Sequence, residues 1–61
     1  MTYGELKRKL KKGGSYFHHH GKSHEIWESS LTGKQFPVGR HNSQEVRKAT
    51  LHSILKDAGL N

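Results

Sequence analysis

The sequence contains no cysteine, and this absence narrows the kind of protein it can encode. Without cysteine, the 61 residues can form neither a disulfide staple nor a thiolate zinc finger. No apolar run approaches the roughly 20 residues of a membrane-spanning helix, and the first residues do not resemble a signal peptide. We therefore expect a soluble cytoplasmic protein in which residues 1–61 form one domain with a small core.

Acidic side chains are also scarce. Five Asp and Glu stand against eleven Lys and Arg, which gives a formal net charge of +6 with every histidine neutral. Such a surplus on a small domain favours binding to phosphates, or to an acidic protein that covers the same surface. The alternative is a basic surface that only keeps the protein soluble, although solubility is usually achieved with both signs interspersed.

The first segment, Thr2 to Lys12, has the pattern of a basic amphipathic helix. Thr2 and Glu5 have the spacing of a capping box, and the two glycines after Lys12 end the helix. The apolar side at helical spacing consists of Tyr3, Leu6 and Leu10. The other side consists of Lys7, Arg8, Lys9, Lys11 and Lys12. This side is either a phosphate-binding surface or a solvated helix surface, and the sequence does not separate the two.

Three short strands are predicted next. Ser15–His20 and His24–Ser29 are separated by Gly21-Lys22, a connection suited to a tight hairpin. A Thr-Gly turn then leads into a third strand, Gln35–Val38. Pro37 cannot donate to a ladder of hydrogen bonds, so we expect the third strand at an edge of the sheet.

Three consecutive histidines end the first predicted strand. Strict alternation would place His18 and His20 on one side of the strand and His19 on the other. With His24 on the facing strand as a third ligand, a zinc site is an alternative, but no cysteine is present to complete it. We expect no metal and no other cofactor, and a run His18–His20 that forms part of the surface around His24.

The last segment is helical, and with it the fold class is defined. Apolar residues recur at helical spacing from Val46 to Ala58, and Gly59 is the expected stop. At its start, either Asn42 or Ser43 caps the helix, or residues 43–47 form an irregular lead-in. The order predicts an α+β domain, α-β-β-β-α, with a three-stranded antiparallel sheet and both helices on one face. The opposite face is left open to a ligand.

Several short stretches occur in a characteristic order along the chain. A short basic helix is followed by "GKSHEIW", a Thr-Gly-Lys turn, "FPVGRH" and a closing "TLHSILKDAGL". In this order and spacing they resemble the HicA (YcfA-like) mRNA interferases, which are toxins of HicBA toxin–antitoxin systems. The chain departs from that pattern where Lys22 separates Gly21 from Ser23, and where Gly39 replaces the proline of many members.

The resemblance covers essentially the whole chain, and it has consequences for fold, activity and partners. It implies a fold like that of double-stranded RNA-binding domains and a metal-independent endoribonuclease whose catalytic histidine maps onto His24. It also implies mRNA as substrate and a HicB-like antitoxin that would cover the basic face. Contact with DNA is expected only through the antitoxin, and contact with a membrane is not expected.

The residues around His24 suit RNA cleavage in their own right. A base must take the proton from a ribose 2′-hydroxyl, which then attacks the adjacent phosphorus, while cations stabilise the charge on the phosphoryl oxygens. An imidazole titrates near neutrality, so His24 can be that base. The predicted RNA contacts are Lys22, Ser23, Lys34, Arg40 and His41. For His41, a proton-donating role and a structural role near the last helix both stay open.

Two other functions are consistent with the same surface. A non-catalytic RNA-binding module of the same fold would read phosphates and 2′-hydroxyls without cleaving them. A DNA-binding regulator is less favoured, because no helix-turn-helix pairing precedes the last helix.

Overall fold

The computed structural model describes all 61 residues as two helices and one sheet. In chain order the elements are α1 (Tyr3–Lys12), β1 (Ser15–His20), β2 (Glu25–Ser29), β3 (Gln35–Val38) and α2 (Lys48–Ala58). Strand β2 pairs in antiparallel fashion with both other strands, so the sheet order is β1-β2-β3. The predicted α-β-β-β-α order is confirmed, and β3, which contains Pro37, is an edge strand as expected. Neither helix has the length and apolar character needed to cross a bilayer.

Helix α1 begins and ends as the sequence predicts. The Thr2 hydroxyl accepts a hydrogen bond from the Glu5 N–H, and the Glu5 carboxylate accepts the Thr2 N–H at 2.8 Å, which completes the capping box. Gly13 caps the other end. Leu6 and Leu10 are fully buried, so the helix rests on the sheet through its apolar side.

A single hydrophobic cluster joins both helices to the same face of the sheet. Its members are Leu6, Leu10, Trp27, Phe36, Val38, Val46, Ile54 and Ala58. Trp27 in β2 and Phe36 and Val38 in β3 point their side chains to this face, as the alternation of buried and exposed positions shows. Because α1 and α2 both contribute to this cluster, the opposite face of the sheet is left uncovered.

Helix α2 begins later than a cap at Asn42 or Ser43 would allow. It starts at Lys48, with Arg47 as an N-cap that makes no side-chain hydrogen bond. Of the two predicted starts, the irregular lead-in over residues 43–47 is therefore the correct one. The Asn42 side chain does not cap α2 and instead accepts a hydrogen bond from Lys7 at 2.7 Å.

Backbone hydrogen bonds to the N-terminus hold this lead-in. The Tyr3 N–H donates to the Gln44 carbonyl at 3.0 Å, and the Val46 N–H donates to the Met1 carbonyl at 2.9 Å. The Tyr3 ring also packs against Gly39, where an added Cβ would lie 2.9 Å from ring carbons. Val46 is thereby buried although it lies outside the helix.

The β2–β3 turn is tied to the C-terminal end of α2. The buried Ser29 hydroxyl donates to the Ala58 carbonyl at 2.9 Å, and the Thr32 hydroxyl donates to the Asp57 carbonyl at 2.5 Å. Gly59 ends the helix in the left-handed conformation with φ 77°, as predicted. The turn therefore supplies donors to carbonyls that a helix end leaves unsatisfied.

A bulge at His18 breaks the alternation predicted along β1. The register with β2 shifts between Phe17 and His19, so His18 is an extra residue in the strand. As a result His18 and His19 both lie on the uncovered face, with their Nδ1 atoms 2.7 Å apart, while His20 packs against Phe17 on the helix side. The prediction that His18 and His20 share a face is wrong.

Candidate functional site

His24 lies in the β1–β2 loop and not inside the second strand, where the sequence placed it. His20 pairs with Glu25, so the connection spans residues 21–24 and is longer than the predicted Gly21-Lys22 hairpin. The Gly21 N–H donates to the His24 carbonyl at 2.7 Å and closes the loop. A Cβ at Gly21 would lie 3.0 Å from that carbonyl oxygen, so glycine permits the close approach. The His24 side chain is exposed on this loop.

The His24 imidazole makes one side-chain hydrogen bond, and its partner is Ser23. The Ser23 Oγ lies 3.1 Å from Nδ1 of His24, and Nε2 is left without a partner in the protein. Glu25 points away from His24, as strand alternation predicts: its carboxylate accepts the Trp27 indole N–H at 2.9 Å. The neighbour that can orient the imidazole is therefore Ser23, which the sequence suggested only as an RNA contact.

Lys7 is held in an ion pair and does not belong to the freely exposed cations of α1. Its Nζ lies 3.2 Å from the Glu25 carboxylate, and its side chain is 11% exposed. Burial alone would raise the pKa of Glu25, but the hydrogen bonds from Trp27 and Lys7 and the Lys7 charge outweigh it, so the pKa is lowered. Sequence pattern did not distinguish Lys7 from the other four cations, because nothing local shows that Glu25 faces α1.

Arg40 and His41 follow β3 at the same end of the sheet as His24. Val38 pairs with Glu25, so the chain leaves β3 beside the β1–β2 loop. Both side chains are exposed, and the His41 carbonyl accepts the Gln44 N–H at 3.0 Å. The fold thus gathers five of the six predicted site residues at one end of the sheet, which we call the His24 end: Lys22, Ser23, His24, Arg40 and His41.

Lys34 lies at the opposite end of the sheet. It precedes Gln35, which pairs with Glu28 near the end of β2. The length of β3 separates it from the His24 end by about 10 Å, at roughly 3.3 Å per residue. A contact between Lys34 and RNA stays a prediction, and it requires RNA that runs along the sheet.

A basic groove lies beside the His24 end, between α1 and the sheet. We call it the α1 groove; its walls include Lys7, Arg8, Lys11, Phe17, Glu25 and Asn42, and its volume is about 690 Å³. Arg8 and Lys11 are exposed, unlike the paired Lys7. Phe17 is 41% exposed although it lies on the helix side of the sheet. The sequence predicted the cations of this surface but not the aromatic residue among them.

The uncovered face of the sheet carries a separate polar cluster around Glu28. Its carboxylate accepts hydrogen bonds from the Tyr16 hydroxyl and, at 3.0 Å, from the Gln35 amide. The hydrogen bonds from Tyr16 and Gln35 lower the pKa of Glu28, and the hydrogen bond to Glu28 raises the pKa of Tyr16. His18 Nε2 lies 3.9 Å from the same carboxylate. Nowhere in the chain do three His, Asp or Glu side chains converge as metal ligands would.

A comparison with models of known protein families identifies the family of this chain. The family model described as the HicA toxin of bacterial toxin–antitoxin systems matches residues 3–60. The chain belongs to the HicA toxin family. Searches of curated proteins and of solved structures returned no match. As a HicA toxin, the protein is the toxin component of a toxin–antitoxin pair. His24, which the sequence predicts to be the catalytic residue, is exposed on the β1–β2 loop.

Proposed function

We propose that this HicA toxin is a cytoplasmic, metal-independent endoribonuclease that cleaves mRNA with His24 as its general base. The observation that supports this most is the placement of His24. Its imidazole is exposed on a loop, one ring nitrogen contacts Ser23, and the other is unpartnered. A base must reach the proton it abstracts, and an exposed ring nitrogen at the edge of a basic surface meets that condition.

The contact with Ser23 is compatible with the His24 tautomer that acts as a base. When the Ser23 oxygen accepts a hydrogen bond from Nδ1–H of His24, the lone pair is on Nε2. Nε2 then takes the proton of a ribose 2′-hydroxyl, and the 2′-oxygen bonds to the adjacent phosphorus. The bond from phosphorus to the 5′-oxygen breaks, and the leaving oxygen takes up a proton. The products are a 2′,3′-cyclic phosphate and a 5′-hydroxyl.

The cations at the His24 end would hold the reacting phosphate. Lys22 lies two residues before His24 on the same loop, and Arg40 follows β3 at the same end of the sheet. An Arg fork and a Lys ammonium suit the charge that develops on phosphoryl oxygens. His41 is at this end too and is our candidate for the group that protonates the leaving oxygen.

A HicB-like antitoxin would neutralise the toxin by covering the same surface. The net charge is +6, and the loop that carries His24 is exposed. An acidic antitoxin surface would complement this charge and block the approach of RNA.

The proposal is tested by the chemistry of the cut ends. The purified chain is incubated in EDTA with a single-stranded RNA of defined sequence, and with the same RNA carrying a 2′-deoxyribose at the main cleavage position. We expect cyclic phosphate ends from the first substrate and no cut at the deoxy position of the second. Cleavage that requires added metal, or that proceeds at the deoxy position, would contradict the mechanism. RNA binding without cleavage would favour the non-catalytic module.

A further inference from the structure

The α1 groove combines features that a surface used only for solubility does not need. Arg8 and Lys11 stand three residues apart on α1, on the side that faces the groove. The groove also contains one carboxylate, that of Glu25, but its charge is offset by the Lys7 ammonium at 3.2 Å. The free charge in the groove is therefore positive.

Phe17 is an exposed aromatic residue placed next to these cations. It lies opposite Trp27 in the register, yet it is 41% exposed while Trp27 is buried. The His20 ring packs edge-on against it, with ring centroids 5.0 Å apart and an interplanar angle of 63°. This contact restrains the Phe17 ring without covering it.

We propose that the α1 groove is a subsite for single-stranded RNA, in which an unpaired base stacks on Phe17 while Arg8 and Lys11 bind the flanking phosphates. Bases stack on exposed aromatic side chains in basic grooves irrespective of their sequence. Inside a duplex both faces of a base are covered by its neighbours, so this subsite accepts an unpaired base only. The substrate class is therefore single-stranded RNA rather than the duplex that the fold usually binds.

An RNA occupant fits the groove better than a protein segment does. Only two of the ten residues that line it are hydrophobic, whereas the centre of a protein–protein interface is largely apolar. The groove also adjoins the proposed cleavage position, since Glu25 on its wall follows His24 directly. A strand whose phosphate lies at His24 can continue into the groove. This inference rests on the proposed function, which makes RNA the substrate.

The test measures binding separately from cleavage. The probe is a short RNA with 2′-O-methyl groups on every ribose, which removes the nucleophile, used as a single strand and as a duplex in EDTA at about 0.1 M salt. The parent should bind the single strand at least about 10-fold more tightly than the duplex, and Phe17→Ala should weaken single-strand binding by about 10-fold. Phe17→Tyr keeps the aromatic face and should stay within about 2-fold of the parent.

Two double variants of α1 provide the matched control for charge. Arg8→Gln with Lys11→Gln removes two charges from the groove, and Lys9→Gln with Lys12→Gln removes two charges at the same spacing outside it. The first should weaken single-strand binding by about 10-fold and the second by no more than about 2-fold.

Three results would overturn the subsite. The first is equal affinity for the single strand and the duplex, and the second is an equal loss of single-strand affinity in the two double variants. The third is an unchanged single-strand affinity in Phe17→Ala, which would leave a protein partner as the occupant of the groove. None of these depends on cleavage. A parent that binds as expected but cuts no RNA would instead refute the proposed function and leave the subsite standing.

Discussion

At the scale of single residues, the orientation of His24 depends on its neighbours on both sides. Gly21 allows the loop to close, Ser23 contacts the imidazole, and Glu25 turns to α1 and Trp27. Because Glu25 is neutralised by Lys7, it places no free negative charge beside the position where a phosphate would bind. The ion pair of Lys7 and Glu25 therefore serves both the fold and the electrostatics of the site.

This ion pair predicts how stability varies with pH. The pKa of Glu25 is lowered from 4.5 in the folded state. The stabilisation that the ionised carboxylate provides is therefore complete above pH 4.5, and it is lost as the pH falls through the lowered pKa. Glu25→Gln should reduce the free energy of unfolding near neutral pH by about 1–3 kcal/mol, because Lys7 then stays mostly buried without its counter-charge. The difference in free energy of unfolding between the parent and Glu25→Gln should become smaller in acid.

Urea unfolding at a series of pH values measures both effects. Glu45→Gln is the matched control, since the Glu45 side chain is 74% exposed and its pair with the N-terminus should contribute less than about 1 kcal/mol. Parallel pH profiles for the parent and Glu25→Gln would show that this carboxylate has no part in acid sensitivity.

At the scale of elements, both ends of α1 and the C-terminal end of α2 were the most predictable features, whereas the sequence left the start of α2 open. Thr2, Glu5 and Gly59 carry local signals for caps, and the structure contains all of these caps. The bulge in β1 had no such signal, because β1 is exposed at every position after Ser15. A strand without a buried face has a weakly specified register, so sequence alone could not place His18.

The sequence predicted which residues gather at the His24 end, but it did not predict the contacts that depend on tertiary packing. The strand order brings Arg40 and His41 to the His24 end, and the family resemblance supplied His24 itself. Two features depended on tertiary packing and were missed: the pairing of Lys7 with Glu25, and the exposure of Phe17 in the α1 groove. Neither follows from spacing along the chain.

The β2–β3 turn predicts a large effect from a single hydroxyl group. Ser29 is fully buried, donates to the Ala58 carbonyl and accepts the N–H groups of Leu31 and Thr32 at 3.1 and 3.3 Å. Ser29→Ala should reduce the free energy of unfolding by about 2 kcal/mol, because the buried Ala58 carbonyl and the two partly buried N–H groups lose their partner. In contrast, Ser53→Ala on the exposed side of α2 should change it by less than about 0.5 kcal/mol. Equal values for the two variants in urea unfolding would contradict the role of the turn.

At the scale of the whole molecule, the net positive charge is high and the hydrophobic core is small. Eight residues form the hydrophobic cluster, and the net charge of +6 is spread over α1, the loops and α2. A chain with few buried residues has little stability to spare, and a bound partner that recognises only the folded state would add to it. Under the proposed function, RNA or an antitoxin bound on the basic side would be such a partner.

The charge predicts a steep dependence of RNA affinity on salt. For single strands the logarithm of the binding constant should fall with the logarithm of salt concentration, with a slope of about −0.7 for each phosphate contacted. The variant with Arg8→Gln and Lys11→Gln should reduce the steepness of that slope by about 1.4. Titrations of the 2′-O-methyl RNA at several salt concentrations measure both slopes. A flat response in the parent would mean that the basic surface does not bind the RNA backbone.

The most direct test of the account is the single-turnover rate at which one defined RNA is cut by the parent, by His24→Ala and by His52→Ala. His52 is an exposed histidine on α2, outside the His24 end of the sheet, and serves as the matched control. Loss of the general base should slow cleavage by about 10² to 10⁴-fold in His24→Ala, while His52→Ala should stay within about 2-fold of the parent. Cleavage by His24→Ala at the parent's rate would show that the base lies elsewhere.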